Sequence, residues 1–152
     1  MNIEQYSIIS DSSCLSYKFI SIGPKGEIKK YVFYRKIQVA NETIFNVSFG
    51  DWDEIAGVIN SQVITNNNDT SKILFTVYQT IILFTSRFPN VSILIVGSTN
   101  SRNRLYQMAI NGNLTEIQKY FDLEGFKNGA WETYKKGVNF QAFLAKRKLN
   151  KS

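Results

Sequence analysis

A two-residue period of apolar and polar positions runs through the first third of the chain. Residues 17–22, Tyr-Lys-Phe-Ile-Ser-Ile, end at Gly23-Pro24-Lys25-Gly26, whose proline and glycines mark a turn. The alternation resumes over residues 27–37, so the two runs predict a β-hairpin. In a regular strand Lys29, Tyr31 and Phe33 share one face, while Lys30, Val32 and Tyr34 share the other. A third strand is predicted over 43–49, with Ile44, Asn46 and Ser48 opposite Phe45, Val47 and Phe49, closed by Gly50-Asp51-Trp52-Asp53. Residues 60–69 are expected to form a short strand or loop ending in the polar tip Asn66-Asn67-Asn68-Asp69.

The period then lengthens. Ile73, Leu74, Val77, Ile81, Phe84 and Phe88 recur at helical spacing and predict a helix over 71–88, capped by Asp69 or Thr70 and stopped at Pro89-Asn90. The apolar, β-branched run 91–96 predicts a strand buried on both faces. A second helix is expected from about Asn100 to Asn111-Gly112-Asn113, and a short third one over 114–121. Strand-like pieces over 129–134 and 138–146 follow, with Lys135, Lys136 and Gly137 in the turn between them and Trp131 expected in the core. The order β-β-β, α-β-α-α, β-β predicts an α+β fold: a mainly antiparallel sheet with two to three helices packed on one face.

Composition narrows the chemistry more than the fold. The 152 residues are 43% hydrophobic and 14% aromatic with 2 prolines, which suits one globular domain spanning 1–152 with a basic, fraying tail near 148–152. No histidine is present, and Cys14 is the only cysteine. That removes Ser-His-Asp and Cys-His catalysis, Cys/His zinc sites and an intramolecular disulfide. Any catalysis must use carboxylates, Tyr, Lys, Arg, Ser or Thr, and nothing calls for a cofactor. Residues 1–5 lack a basic start and an apolar core, and no apolar run is long enough to span a bilayer. A cytoplasmic protein without a membrane partner is therefore expected. The net charge of +6 favours anionic partners such as nucleic acid or a nucleotide, although solubility alone accounts for it equally well.

Three groups of residues carry candidate chemistry. The first is the strand-turn-helix junction Gly97-Ser98-Thr99-Asn100-Ser101-Arg102-Asn103-Arg104-Leu105-Tyr106. A helix start gathers backbone N–H groups and partial positive charge; Gly97, Ser98, Thr99, Ser101, Arg102 and Arg104 add a tight turn, hydroxyls and forked donors suited to phosphate. Arg102, Arg104 and Tyr106 are the candidate catalytic residues, the arginines for phosphoryl charge and the phenol for a proton. Ordinary capping explains the same residues, and the Gly-Lys-Ser/Thr of a P-loop is missing. The second group is acidic: Asp51, Asp53 and Glu54, joined by Asp69, could hold Mg²⁺, against the simpler reading of a surface turn beside a buried Trp52. The third is the basic, aromatic hairpin with Lys25, Lys29, Lys30, Tyr31, Arg35 and Lys36 beside Phe33 and Tyr34. Cations interleaved with aromatics bind single-stranded nucleic acid, and an edge hairpin guarded by lysines has the same composition.

The pieces Ile22-Gly23-Pro24-Lys25-Gly26, Ser48-Phe49-Gly50-Asp51, Asn67-Asn68-Asp69, Gly97-Ser98-Thr99-x-x-Arg102-x-Arg104-Leu105-Tyr106, Trp131-Glu132 and Phe143-Leu144-x-x-Arg147-Lys148 together resemble a small bacterial domain family of unknown function. The resemblance covers nearly the whole chain, and the Gly-Ser-Thr-x-x-Arg-x-Arg-Leu-Tyr stretch is its most specific part. Where the family pattern carries glycine ahead of the tip aspartate, this chain has Asn68. The small stand-alone form is similar to that of bacterial toxin–antitoxin and phage-defence components. Two expectations follow. One is a phosphate- or nucleic-acid-binding component of such a system, extending to a histidine-independent ribonuclease. The other is a non-enzymatic module that docks a protein partner through a β-hairpin edge or aromatic patch.

Overall fold

The computed structural model describes residues 5–53, 55, 57–60 and 67–148, with side chains omitted at 58–60. The expectations for Glu54, for 61–66 with Asn66, and for the tail past Lys148 lie outside the described residues. The chain forms two compact units, Met1–Arg35 with Val47–Arg87, and Lys36–Asn46 with Phe88–Ser152.

The first unit holds β1 (Ile9–Ser10), β2 (Ser16–Gly23), most of β3 (Gly26–Val39), the second half of β4 (Glu42–Asp53), β5 (Val58–Asn60) and α1 (Thr70–Arg87). Its strands follow the order β1-β2-β3-β4, with β5 on β4. The predicted hairpin is β2–β3, in register from Ser16↔Phe33 to Gly23↔Gly26. Alternation sorts its faces as expected. Tyr17, Phe19 and Ser21 of β2 and Lys30, Val32 and Tyr34 of β3 are buried, while Lys18, Ile20, Lys29 and Phe33 are exposed. Against this inner face α1 lays Ile73, Val77, Ile81 and Phe84. The Tyr34 ring stacks on Phe84 with centroids 4.2 Å apart, and its hydroxyl meets Thr80 Oγ1 at 2.8 Å. Thr76, Thr80 and Thr85 are also buried, and each hydroxyl donates to a carbonyl one turn back, which satisfies it within the helix.

One boundary differs from expectation. The strand predicted to close at Gly50-Asp51-Trp52-Asp53 runs on as β4 through Asp53, because β5 pairs with it at Asp51↔Asn60, Trp52↔Ile59 and Asp53↔Val58. The tip before α1 is a left-handed turn at Asn68, φ 61°. Glycine adopts that conformation freely and asparagine tolerates it better than most side chains.

The second unit holds the start of β4, then β6 (Ser92–Ile95), α2 (Asn100–Gly112), α3 (Leu114–Gln118), β7 (Phe121–Lys127), β8 (Ala130–Thr133) and β9 (Ala142–Arg147). Its order is β4-β6-β9-β7-β8, with β4–β6 parallel and the other pairs antiparallel. The third helix is shorter than predicted, since Phe121 already belongs to β7. Here Phe121, Leu123 and Gly125 are buried and Asp122 and Glu124 exposed. The β7–β8 hairpin turns on Asn128 and Gly129, whose φ values of 52° and 80° suit a two-residue turn that needs both central residues left-handed. Trp131 is not in the core: β8 is exposed along its length, and Trp131 is 41% accessible with its ring 5.2 Å from Phe126. The α+β class and the mostly antiparallel sheet stand as expected.

Burial fixes the protonation of three tyrosines. It holds the Tyr17 and Tyr134 phenols up at about 12 and pushes Tyr34 higher, with the Thr80 hydrogen bond opposing the shift at Tyr34. A phenol whose folded pKa exceeds its unfolded value near 10 favours the fold below pH 10 and loses that contribution as pH climbs toward 12. The midpoint of thermal unfolding should therefore fall steeply between pH 10 and 12. Tyrosinate absorbance followed beside circular dichroism checks this; free titration of all tyrosines before unfolding would contradict it.

Candidate nucleic-acid interface

Of the three sequence candidates, the hairpin changes most when its side chains are placed. Lys30 leaves the surface set. It is fully buried, and its ammonium pairs with an Asp51 carboxylate oxygen on the inner face of the sheet. This corrects its assignment as a nucleic-acid contact: alternation turns it away from Lys29 and Tyr31. Lys25 is exposed in the turn, where its backbone N–H donates 2.7 Å to Asn67 Oδ1. Arg35 is exposed, in phase with Lys29, Tyr31 and Phe33.

The outer face of the hairpin carries an aromatic platform. Tyr31 stacks on Trp52 of β4, centroids 4.7 Å apart and planes 29° from parallel. Lys18 lies directly across from Tyr31, and Ile9 across from Lys18, so Ile9, Lys18, Tyr31 and Trp52 form a row over successive strands. Phe33, opposite Ser16, and Lys29, opposite Ile20, flank it. By the same alternation Asp51 and Asp53 fall on the side away from Trp52. Lys18 and Trp52 were not singled out as binders, although the signal was present: Lys18 is the polar phase of its strand, and Trp52 needed only a longer β4.

The acidic candidates are not brought together. Asp51 holds Lys30; Asp53 Oδ1 accepts the Ile55 N–H at 3.0 Å; Asp69 Oδ2 accepts the Tyr6 hydroxyl at 2.5 Å and the Ser21 hydroxyl at 2.6 Å. Among the described residues no three His, Cys, Asp or Glu side chains cluster as metal ligands. Asp69 does stand at the start of α1, where its carbonyl accepts the Ile73 N–H.

In the second unit the helix-start candidate resolves into two groups. Thr99 caps α2: its hydroxyl accepts the Arg102 N–H at 3.1 Å and its carbonyl the Asn103 N–H at 3.0 Å. Arg102 folds back so that Nη1 donates 2.5 Å to Ser98 Oγ. Gly97 packs so near the helix that a Cβ would lie 2.4 Å from Asn103 N. Gly97, Ser98, Thr99 and Arg102 are thus brought together, with Ser101 exposed beside them. Arg104 is exposed and lies ~200° around the helix from Arg102, so it does not join them. Burial raises the Tyr106 phenol above its ordinary value, opposed by the nearby Arg102 charge.

Sequence reasoning also missed an amide series along α2. Asn103 Oδ1 accepts the Gly97 N–H at 3.0 Å while its Nδ2 donates 2.9 Å to the Phe140 carbonyl. Gln107 takes the Phe140 N–H at 3.1 Å and donates to the Val138 carbonyl; Asn111 accepts the Tyr134 hydroxyl. Amides at i, i+4 and i+8 share a helix face, and this spacing was the available signal. The row fastens segment 134–140 to α2, so part of the junction's polarity is structural.

With both geometries in view, family membership is settled by a match over residues 2–148 to a family of unknown function, DUF6934. The chain belongs to this family. No curated protein and no solved structure matches the chain. Among the described residues no helix is long and apolar enough to cross a membrane.

Proposed function

We propose that this DUF6934 protein binds single-stranded nucleic acid on the outer face of β2, β3 and β4. The observation that carries this reading is the Tyr31–Trp52 stack beside Lys18, with Phe33, Lys29 and Arg35 on the same side of the sheet. Aromatic faces accept any base, and surrounding cations hold the phosphates without reading sequence. The excess of basic residues supports the same direction. A place in a bacterial toxin–antitoxin or defence-type system is the wider form of this reading. A ribonuclease activity would fall to Arg102 and Tyr106 at the α2 start, with the phenol acting as acid.

Fluorescence anisotropy with labelled single-stranded RNA across a salt series tests it. Contacts from Lys18, Lys29 and Arg35 to three phosphates predict a slope of log affinity against log salt of about −2, at roughly 0.7 per phosphate. Tyr31→Ala should weaken binding about tenfold through lost stacking. Arg102→Ala/Arg104→Ala should bind as wild type, which separates the sheet face from the helix start. Loss of binding in the arginine pair alone would move the site to α2.

A second reading has its own observation. Ile20 and Ile22 on this face are 44% and 62% accessible, which suits a protein partner. A complex insensitive to salt, with no nucleic-acid binding, would select it.

A further inference from the structure

β8 is the last strand of its sheet, and among the described residues it pairs with β7 alone. All four of its residues, Ala130–Thr133, are exposed. The register shows which of its backbone groups are already used. A two-residue turn makes the flanking pair Lys127↔Ala130 a hydrogen-bonded one, and such pairs recur at every second position. Gly125↔Glu132 is the next, and the Tyr134 N–H, donating 3.0 Å to the Leu123 carbonyl, continues the phase. Trp131 and Thr133 fall between these pairs. Their N–H and C=O groups therefore point away from β7, along the open edge. An edge of this kind takes up an extended segment as an extra strand.

Two features define what that segment must carry. Every second side chain of an added strand lies on the Trp131 side of the sheet. There Trp131, 41% accessible, packs on Phe126 with ring centroids 5.2 Å apart and offers an aromatic surface to an apolar side chain. Charge sets the rest. Lys127 stands at one end of the edge and Lys135 and Lys136 at the other, all exposed. The acids Glu124 and Glu132 lie between them, beside the middle of the strand. A strand with carboxylates at both ends and uncharged residues in its centre matches this order. A second copy of β8 does not, because antiparallel pairing would bring Lys135 and Lys136 of each copy toward Lys127 of the other.

We infer that β8 is the docking edge for an extended, acid-ended segment of a protein partner. The main-chain groups of Trp131 and Thr133 hold the segment, and one of its apolar side chains covers Trp131. The inference uses none of the residues of the nucleic-acid face and goes beyond that reading.

The test uses the full-length, isotope-labelled protein and the capped peptide Asp-Asp-Val-Thr-Val-Asp-Asp, beside its counterpart Lys-Lys-Val-Thr-Val-Lys-Lys. The acidic peptide should shift the amide resonances of Trp131 and Thr133 at about millimolar concentration, the weak binding expected when a flexible segment orders on a short edge. The lysine-ended peptide should bind at least about tenfold more weakly. Trp131→Ala should weaken the acidic peptide about tenfold. Thr133→Pro removes an outward N–H and no bond to β7, so the hairpin should persist while binding falls about fivefold. Trp131 is exposed, so its variant reads the edge even where the proline disturbs the strand. Equal binding of both peptides overturns the proposal, as does binding unmoved by Trp131→Ala or no shift at these two amides. Resonances that move with protein concentration alone assign the edge to a second copy, and resonances moved by single-stranded RNA assign it to nucleic acid; either overturns the peptide.

Discussion

Replacing Asp51 with alanine is expected to destabilise the protein by about 3–5 kcal/mol, the usual cost of removing one partner from a buried ion pair. Lys30 is 0% accessible and sits on the inner face of β3, flanked in the strand by Ile28 and Val32. Its side chain cannot swing to water without leaving the face that α1 covers. Without the Asp51 carboxylate the buried ammonium loses the opposite charge it pairs with, and most of the loss comes from that group rather than from the bond itself. Asp51→Asn keeps the shape and should recover part of the loss. Lys30→Met with Asp51→Leu removes both charges and should lie close to wild type, because apolar replacement of a buried pair is often neutral or better. Urea unfolding of the four proteins measures this directly. A loss below about 1 kcal/mol for Asp51→Ala, the range of exposed pairs, would contradict a buried charge that depends on Asp51.

The other large effect is expected at Gly125. This glycine lies on the buried phase of β7, and a Cβ there would come within 2.2 Å of the Phe140 ring. The ring has nowhere easy to go. Phe140 is 4% accessible, it packs against Tyr134 with centroids 5.2 Å apart, and both of its backbone polar groups are held by Asn103 and Gln107. Gly125→Ala should therefore cost about 3 kcal/mol, the upper range for overpacking a well-filled site. The cause is specific to one contact, so Phe140→Ala in the same chain should relieve it. The double variant should be more stable than the sum of the two single losses predicts. Strict additivity would show that the strain lies elsewhere in β7.

Periodicity made much of this architecture legible. The hairpin, α1, β6 and α2 all follow from the spacing of apolar residues, and the two faces of β3 follow from alternation alone. What was hidden depended on partners distant in sequence. β4 extends past Phe49 with β5 paired along its end. Residues 121–127 alternate as a strand and precede Asn128-Gly129, a hairpin signal, while Leu114, Ile117 and Phe121 carry helical spacing into the same stretch. Trp131 was assigned to the core on side-chain type, whereas an edge strand needs no buried face. The site was partly legible in the same sense. Lys29, Tyr31 and Arg35 were named from the hairpin pattern, and alternation already set Lys30 apart from them. Nothing local to β3, however, brings Trp52 over Tyr31. At the α2 start the residue types suggested an anion site, while Asn103 and Gln107, which tie that junction together, carried no charge to draw notice.

The central claim is that the outer face of β2, β3 and β4 binds single-stranded nucleic acid. The most direct measurement is fluorescence quenching of Trp52 in a Trp131→Phe variant, titrated with single-stranded RNA at low and high salt. Trp131 is the only other tryptophan, so the signal then comes from the platform alone. The account predicts saturable quenching that weakens as salt rises and disappears in Tyr31→Ala with Lys18→Glu. An unchanged Trp52 signal under conditions where the same RNA binds the protein would place the interface elsewhere and contradict the account.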